Sequence, residues 1–267
     1  MKRILVPTDF SPNADKALTY AIQIAKQVKG EIFIIHAAET YPVEEAIIRA
    51  NQKMALIRKS INETEPITIT TEAYADSSIN SILNAITAFK IDLVVMGTNG
   101  SAGAKERIYG SRTATIIASS PVPVLAIPLL GEWSIPRQIL LPINKFDIND
   151  NPLQPVLNLA AVFDASIQVT IFTDLDDDFV EDYHLHENKI AAFRDILKAK
   201  YPGIEIHAVH LAGHHFIESV QSWVEKNNID IIAMLTHKRT IIESIFNRSM
   251  TKKMSYHTNI PLLAIPV

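Results

Sequence analysis

Four of the chain's eight glycines fall between Gly97 and Gly110, directly behind the apolar run Ile91-Asp92-Leu93-Val94-Val95-Met96. The spacing reads Gly97-x2-Gly100-x9-Gly110-Ser111, and a helical pattern follows from Thr113. A buried strand running through a glycine-rich loop into a helix start is suited to cradling phosphate. Glycine admits positive φ and close approach, so that amide N–H groups can face an anion. The free amides and positive dipole end of the following helix add to that field. Ordinary loops also collect glycine, but half of the supply at one strand–helix junction favours the anion site. Lys105 and Arg107 lie in the spanning loop, where they either add charge to the site or face solvent. There is no Gly-x4-Gly-Lys-Ser/Thr sequence and no Gly-x-Gly-x2-Gly sequence, which excludes a P-loop lysine and argues against a dinucleotide site.

The elements that must position this loop are legible as alternating strands and helices. In the first half, apolar runs at 3–7, 31–37, 67–73, 91–96 and 123–127 have strand length and β-branched content. Ser11-Pro12 offers an N-cap with proline at the first helical position, followed by Ala17, Ala21, Ile24, Ala25 and Val28 on one face. Ile79, Ile82, Leu83 and Ile86 make a second apolar face after Ser77-Ser78. Strand–helix alternation with continuous apolar strands predicts a parallel sheet covered on both faces. Pro121 and Pro123 enter the last strand, as Pro261 enters its counterpart, and proline belongs at strand starts and sheet edges. Two such apolar edges in one chain could pair and make the tandem an internal pseudo-dimer.

The chain is written twice. Ile4-Leu5-Val6-Pro7 returns as Ile139-Leu140-Leu141-Pro142, and Lys90-Ile91-Asp92-Leu93-Val94 as Asn228-Ile229-Asp230-Ile231-Ile232. Pro123-Val124-Leu125-Ala126-Ile127-Pro128 returns as Pro261-Leu262-Leu263-Ala264-Ile265-Pro266. A repeat of this length is a duplicated domain, not a solenoid. The segment from Leu129 to Pro136 reads as a linker, placing domains at 1–130 and 137–267. The 267 residues are 48% apolar and 20% charged, the balance of a globular protein, and the net charge of −4 offers no footprint for nucleic acid. The absence of cysteine excludes thiol catalysis, disulfides and cysteine-ligated zinc. No signal-peptide pattern and no membrane-length apolar run is seen, so a cytoplasmic protein with no membrane partner is expected.

Taken together, these residues resemble the universal stress protein family in its tandem two-domain form. The resemblance is carried by Val6-Pro7-Thr8-Asp9-Phe10-Ser11, by Ile34-Ile35-His36-Ala37, and by Val95-Met96-Gly97 leading into the full glycine pattern, closed by Pro121-Val122-Pro123-Val124-Leu125. It implies two adenine-nucleotide-hydrolase-like (Rossmann-like) α/β domains, each a five-stranded parallel sheet of order 3-2-1-4-5 with helices on both faces. ATP would bind across the carboxyl ends of strands 1 and 4, the switch point where open α/β sheets take ligands. By position, Asp9 would contact the nucleoside with Pro7 and Thr8 beside it. The Ala37 backbone would read the adenine edge, and Met96 and Gly97 would sit by the ribose. Gly100, Gly110, Ser111 and Arg112 would surround the phosphates, with Mg²⁺ held mainly through phosphate oxygens and water. From residue type alone, Asp9 could equally be a turn former. His36 reads as a packed or solvent-touching histidine, and no catalytic relay is supported.

The second half departs from this pattern. Leu235, Lys238 and Arg248 stand where the first half has Gly97, Gly100 and Gly110; Asn144 stands for Asp9, and Ser249 alone matches Ser111. Side chains there obstruct backbone approach, so binding of ATP in the second half is not expected. Lys238, Arg239, Arg248, Lys252 and Lys253 read as a solvated basic face, a domain-interface element or a small anion site. Asp174-x-Asp176-x-Asp178 imitates the start of a calcium loop but has Phe179 and Leu185 where glycine and glutamate are required. Eight of nine histidines lie in this half, among them His184, His186, His207, His210, His214 and His215. Their type permits zinc, but metal-site spacing is missing. The reading that results is an ATP-binding stress-response protein, non-catalytic or weakly hydrolytic, with a protein partner through its second domain and an intramolecular pseudo-dimer that could pair again as a homodimer. A weak ATPase and a nucleotide-free scaffold are the alternatives.

Overall fold

The computed structural model describes residues 1–39, 41–98, 111–130, 132–144, 146, 152–176, 180–236 and 260–267, with backbone only at 111 and 180–182. The glycine-loop positions Gly100 and Gly110, with Lys105 and Arg107, therefore lie outside the described residues. So do Asp178, Phe179, Lys238, Arg239, Arg248, Ser249, Lys252 and Lys253. Two compact units are present, one built on Met1–Trp133 and the other on Ser134–Leu235 with Ile260–Ile265.

The first unit runs β1 (Arg3–Pro7), α1 (Pro12–Val28), β2 (Glu31–Ala37), α2 (Val43–Thr64), β3 (Thr68–Tyr74), α3 (Ser78–Ala88), β4 (Leu93–Gly97), α4 (Ser111–Ser119) and β5 (Val124–Ile127). Its strand order is β3-β2-β1-β4-β5, with all pairings parallel. The inner strands are buried at successive positions (Ile4, Leu5 and Val6 in β1; Leu93 to Met96 in β4), so side chains pointing to both faces are covered. The outer strand β3 differs. Its Thr-rich sequence alternates between buried and exposed positions at its start, as a half-covered edge strand does. Ile91, expected in β4, instead precedes it. Lys90 closes α3 in the left-handed region at φ 49°, and the Ile91 amide donates back to Ile86 O at 3.0 Å.

Helix α1 starts as its sequence predicts. Ser11 Oγ accepts the Ala14 amide at 3.3 Å, Pro12 takes the first helical position, and Ala17, Ala21, Ile24 and Ala25 are buried. Val28 is only partly buried. Ser77 caps α3 in the same way through the Asn80 amide.

The second unit repeats the plan with β6 (Gln138–Pro142), α5 (Gln154–Phe163), β7 (Ser166–Asp174), α6 (Val180–Lys200), β8 (Ile206–Gly213), α7 (Phe216–Lys226), β9 (Ile231–Thr236) and β10 (Leu262–Pro266). Its strands lie in the order β10-β9-β6-β7-β8, again 3-2-1-4-5 when numbered from β6.

The duplication extends to individual bonds. Asp92 Oδ2 accepts the amides of Lys2 and Arg3 at 2.7 and 3.0 Å; Asp230 Oδ2 accepts those of Arg137 and Gln138 at 2.7 and 2.9 Å. The preceding Lys90 and Asn228 are both left-handed, at φ 49° and 50°. Each aspartate thus ties the entry of the first strand of its unit to the residue before the fourth. Asp92→Ala and Asp230→Ala are each expected to lower stability by about 1.5 kcal/mol, the lower end for hydrogen bonds to a charged group, because both lie near solvent. Urea unfolding midpoints check this, and unchanged midpoints in both variants would show the ties to be energetically idle. Among the described residues no helix is long and apolar enough to cross a membrane.

Candidate functional site

In the first unit β1 has β2 on one side and β4 on the other, which makes the β1/β4 junction the switch point. The carboxyl ends of these strands bring Pro7, Thr8 and Asp9 into the same mouth as Met96 and Gly97. The Thr8 amide extends the β ladder by donating to Ile35 O at 2.8 Å, and the Thr98 amide does the same to Ile127 O at 3.0 Å. Ala37 pairs in register with Tyr74, and the Ala38 amide donates to Tyr74 O at 2.8 Å, which fixes the end of β2. Helix α4 is described from Ser111 on, and its Thr113 hydroxyl, 3% exposed, donates to Gly97 O at 3.0 Å. The start of α4 is thereby pinned to the end of β4.

Several residues at this mouth have a definite local role. One oxygen of Asp9 accepts the Ser11 amide at 3.0 Å, so the turn-forming role of this residue is observed. Phe10, between them, is left-handed at φ 60°. His36 Nδ1 lies 2.8 Å from Thr8 O, and its ring lies 4.6 Å from that of Phe10 at an interplanar angle of 31°. Arg112 Nη2 is 3.2 Å from Glu39 Oε2, while Glu39 Oε1 accepts the Ser78 amide at 2.6 Å, so one carboxylate links the ends of β2, α3 and α4.

Gly97 is required by packing. A Cβ there would lie 2.6 Å from Asn13 Nδ2 and 2.7 Å from its Cγ, and Asn13 is 2% exposed. The close approach at this glycine comes from α1 itself. Sequence reasoning missed Asn13, Glu39, Phe10 and Lys53, whose ammonium sits 4.9 Å over the Phe10 ring. Tyr74, at the same end of β3, has its hydroxyl pushed up to about 12 by burial and by the adjacent Glu72 carboxylate, so it stays neutral at physiological pH.

Residues 1–128 match the family model described as the universal stress protein family. That match spans the first unit, just under half of the chain. A universal stress protein of Methanocaldococcus jannaschii is 28% identical over 138 residues, covering 47% of this chain and 81% of the relative. Universal stress protein C of Escherichia coli O157:H7 is 29% identical over 140 residues, covering 48% and 96%. In three dimensions a universal stress protein from Archaeoglobus fulgidus covers 98% of this chain and 97% of its own at a TM-score of 0.69 and 16% identity, which shows the fold of both units. The cytoplasmic domain of a prokaryotic cation chloride cotransporter shares that fold at a TM-score of 0.55 and 13% identity, covering 98% and 94%. The universal stress protein fold therefore does not by itself specify a role.

The second unit carries that fold with different residues at its mouth. Ile4 pairs with Leu93 as Ile139 pairs with Ile231, which puts Leu235 in the place of Gly97. Asp174 and Asp176 form a turn (Asp176 amide to Asp174 Oδ1, 3.0 Å), and His214 Nδ1 lies 2.8 Å from Asp176 Oδ1. No group of three metal-ligating side chains is found among the described residues. His184 and His207 stand beside Glu187 and Glu205 near solvent.

Two other histidines converge. His186 Nδ1 and His210 Nε2 each lie 2.8 Å from the hydroxyl of Thr173, which is 1% exposed, and the Tyr183 ring lies 4.4 Å from that of His210. A hydroxyl can bridge two neutral imidazoles by donating to one and accepting from the other. Burial and the neighbouring His186 lower the pKa of His210 from 6.5, against a smaller upward pull from Glu187. Its buried Nδ1 also has no hydrogen-bond partner among the described residues, so a proton there would gain nothing.

The unfolded chain consequently binds more protons than the folded one once pH falls through about 6.5, and stability drops with it. The urea midpoint of the second unit is expected to be lower at pH 5 than at pH 7, and His210→Gln is expected to flatten that slope. An unaltered slope in the variant would assign the acid sensitivity elsewhere.

Proposed function

We propose that the first unit binds an adenine nucleotide, ATP with Mg²⁺ carried mainly on its phosphates, and that the protein acts in a stress response through nucleotide-dependent interaction. The observation that carries this reading is the convergence of Pro7-Thr8-Asp9 with Met96-Gly97 at the β1/β4 switch point, beside helix α4. This lies within the segment that matches the universal stress protein family. The residues fit such a ligand. The strand ends present backbone at the carboxyl edge, and the first-turn amides of α4 supply donors for an anion. In this reading Asp9 contacts the nucleoside in addition to holding its turn, Ala37 offers backbone to the base, and Gly100, Gly110, Ser111 and Arg112 face the phosphates. To do so, Arg112 would share its guanidinium between phosphate and Glu39. No base or arginine finger is assigned to hydrolysis.

The second unit, with Leu235 and Asn144 at the matching positions, is proposed as the half that contacts a protein partner and leaves nucleotide to the first. Denaturing freshly purified protein and separating any released nucleotide by chromatography tests the division of labour. About one ATP per chain is expected. ADP in its place would favour slow hydrolysis, and a chain that is empty and also ignores added Mg-ATP would leave the scaffold reading.

A further inference from the structure

We infer that His36 is a positioning residue for the nucleotide site: by holding the Thr8 carbonyl and the Phe10 ring it fixes the turn that carries Asp9. This rests on the reading above, in which that turn contacts the nucleotide. Because a carbonyl oxygen only accepts, the 2.8 Å contact makes His36 Nδ1 the donor and sets its hydrogen-bearing nitrogen. The turn that it grips is strained. Phe10 is bulky and left-handed at φ 60°, a conformation that persists only where the surroundings over-determine it. Those surroundings are specific. The Phe10 amide donates to Thr8 Oγ1 at 3.0 Å, the Ser11 amide donates to Asp9 Oδ1 at 3.0 Å, the His36 ring lies against Phe10, and Lys53 sits over the Phe10 ring.

The second unit supplies an internal control. Pro7 pairs with Ile35 as Pro142 pairs with Thr170, which puts Ile171 in the place of His36. The backbone bond that prolongs the ladder is kept in both units: the Thr8 amide donates to Ile35 O and the Ile143 amide to Thr170 O, each at 2.8 Å. Ile171 is buried and has no side-chain donor to offer, and Asn144 there replaces Asp9. The fold thus forms the same ladder end without the histidine clamp. The clamp occurs in the unit that keeps Asp9, which ties it to the site and not to the sheet.

The test is the dissociation constant for Mg-ATP, by calorimetry well below the melting temperature, in the full chain and its His36→Ala, His36→Asn and Gly110→Val variants. His36→Ala is expected to weaken binding about tenfold, roughly 1.4 kcal/mol. His36→Asn, whose side-chain amide can donate to the Thr8 carbonyl, is expected to regain most of the loss. A folded His36→Ala chain that binds as wild type overturns the inference, and so does an Asn variant no tighter than Ala. Should His36→Ala fail to fold, His36→Phe keeps a ring on Phe10 without the donor, and wild-type affinity in that variant overturns the inference equally. Binding by wild type that disappears in Gly110→Val upholds the nucleotide reading whatever the His36 variants do. A wild-type chain that binds no adenine nucleotide removes both.

Discussion

Gly97→Ala is expected to destabilise the first unit by about 2 kcal/mol and Gly97→Val by about 3, the range for overpacking a closed interior. For a unit of this size the larger figure corresponds to a fall of roughly 10 °C in melting temperature. The added Cβ would stand 2.6 Å from Asn13 Nδ2, 2.7 Å from Asn13 Cγ and 3.0 Å from Asn13 O. Asn13 has little room to yield, being buried in the first turn of α1 beside the Ser11 cap. The clash should also propagate. Moving the start of α1 disturbs the Thr8–Ser11 turn, so nucleotide affinity is expected to fall with stability.

A double-mutant cycle separates this from a purely ligand-directed role for the glycine. Asn13→Ala removes the two nearest atoms, so the Gly97→Ala/Asn13→Ala chain should recover much of the single-mutant cost, a positive coupling of the kind that contacting residues show. If Gly97→Ala instead unfolds at the wild-type midpoint and merely loses ATP, the packing explanation is wrong.

Gly97 also marks the boundary of what the sequence could reveal. The run before it is β-branched and short, so β4 was readable, and a glycine at its end announced a close approach. What approaches was not readable. Asn13 meets Gly97 only because α1 packs across β4, and no periodicity in either segment encodes that encounter. The same holds for Lys53 over Phe10 and for Glu39 with Arg112, pairs formed between elements far apart in the chain. Local signals fared better: the Ser11-Pro12 cap, the β1, β2 and β5 runs, and the Ile4/Ile139 repeat all depend on neighbours in sequence. Phe10 defeated local reasoning for a different cause. A phenylalanine is among the last residues one would place at positive φ, and it is held there by contacts from β2 and α2.

The two units keep one fold while changing the residues at its mouth. Strand order, the Asp92 and Asp230 ties, and the left-handed closures at Lys90 and Asn228 are common to both. Among their many sequence differences, three stand at the carboxyl ends of the strands: Asp9 against Asn144, His36 against Ile171, Gly97 against Leu235. Such differences leave the ladders intact, so the second unit keeps the architecture while its mouth changes character. In the second unit two half-buried histidines, His186 and His210, meet on the Thr173 hydroxyl instead.

Replacing Gly110 by valine is expected to weaken Mg-ATP binding more than a hundredfold while leaving the melting temperature within a few degrees of wild type. Helix α4 is described from the next residue, Ser111, and in the proposed reading the substitution falls where an anion would meet amides of that helix. Those amides and the dipole act within the first turn, and an added side chain there forces the phosphates outward, where both contributions fade. Valine has two branches at Cβ and disfavours the positive φ open to glycine, so it tests both space and conformation. Alanine in its place should give an intermediate loss. A matched change in the other direction, Arg248→Gly in the second unit, is expected to leave stoichiometry at about one nucleotide per chain, because Leu235 and Asn144 would remain. Wild-type affinity in Gly110→Val would move the phosphates away from α4 and dissolve the phosphate-loop assignment. Two nucleotides per chain in wild type would show that the second unit binds despite its side chains, and that glycine at these positions is not what admits the ligand.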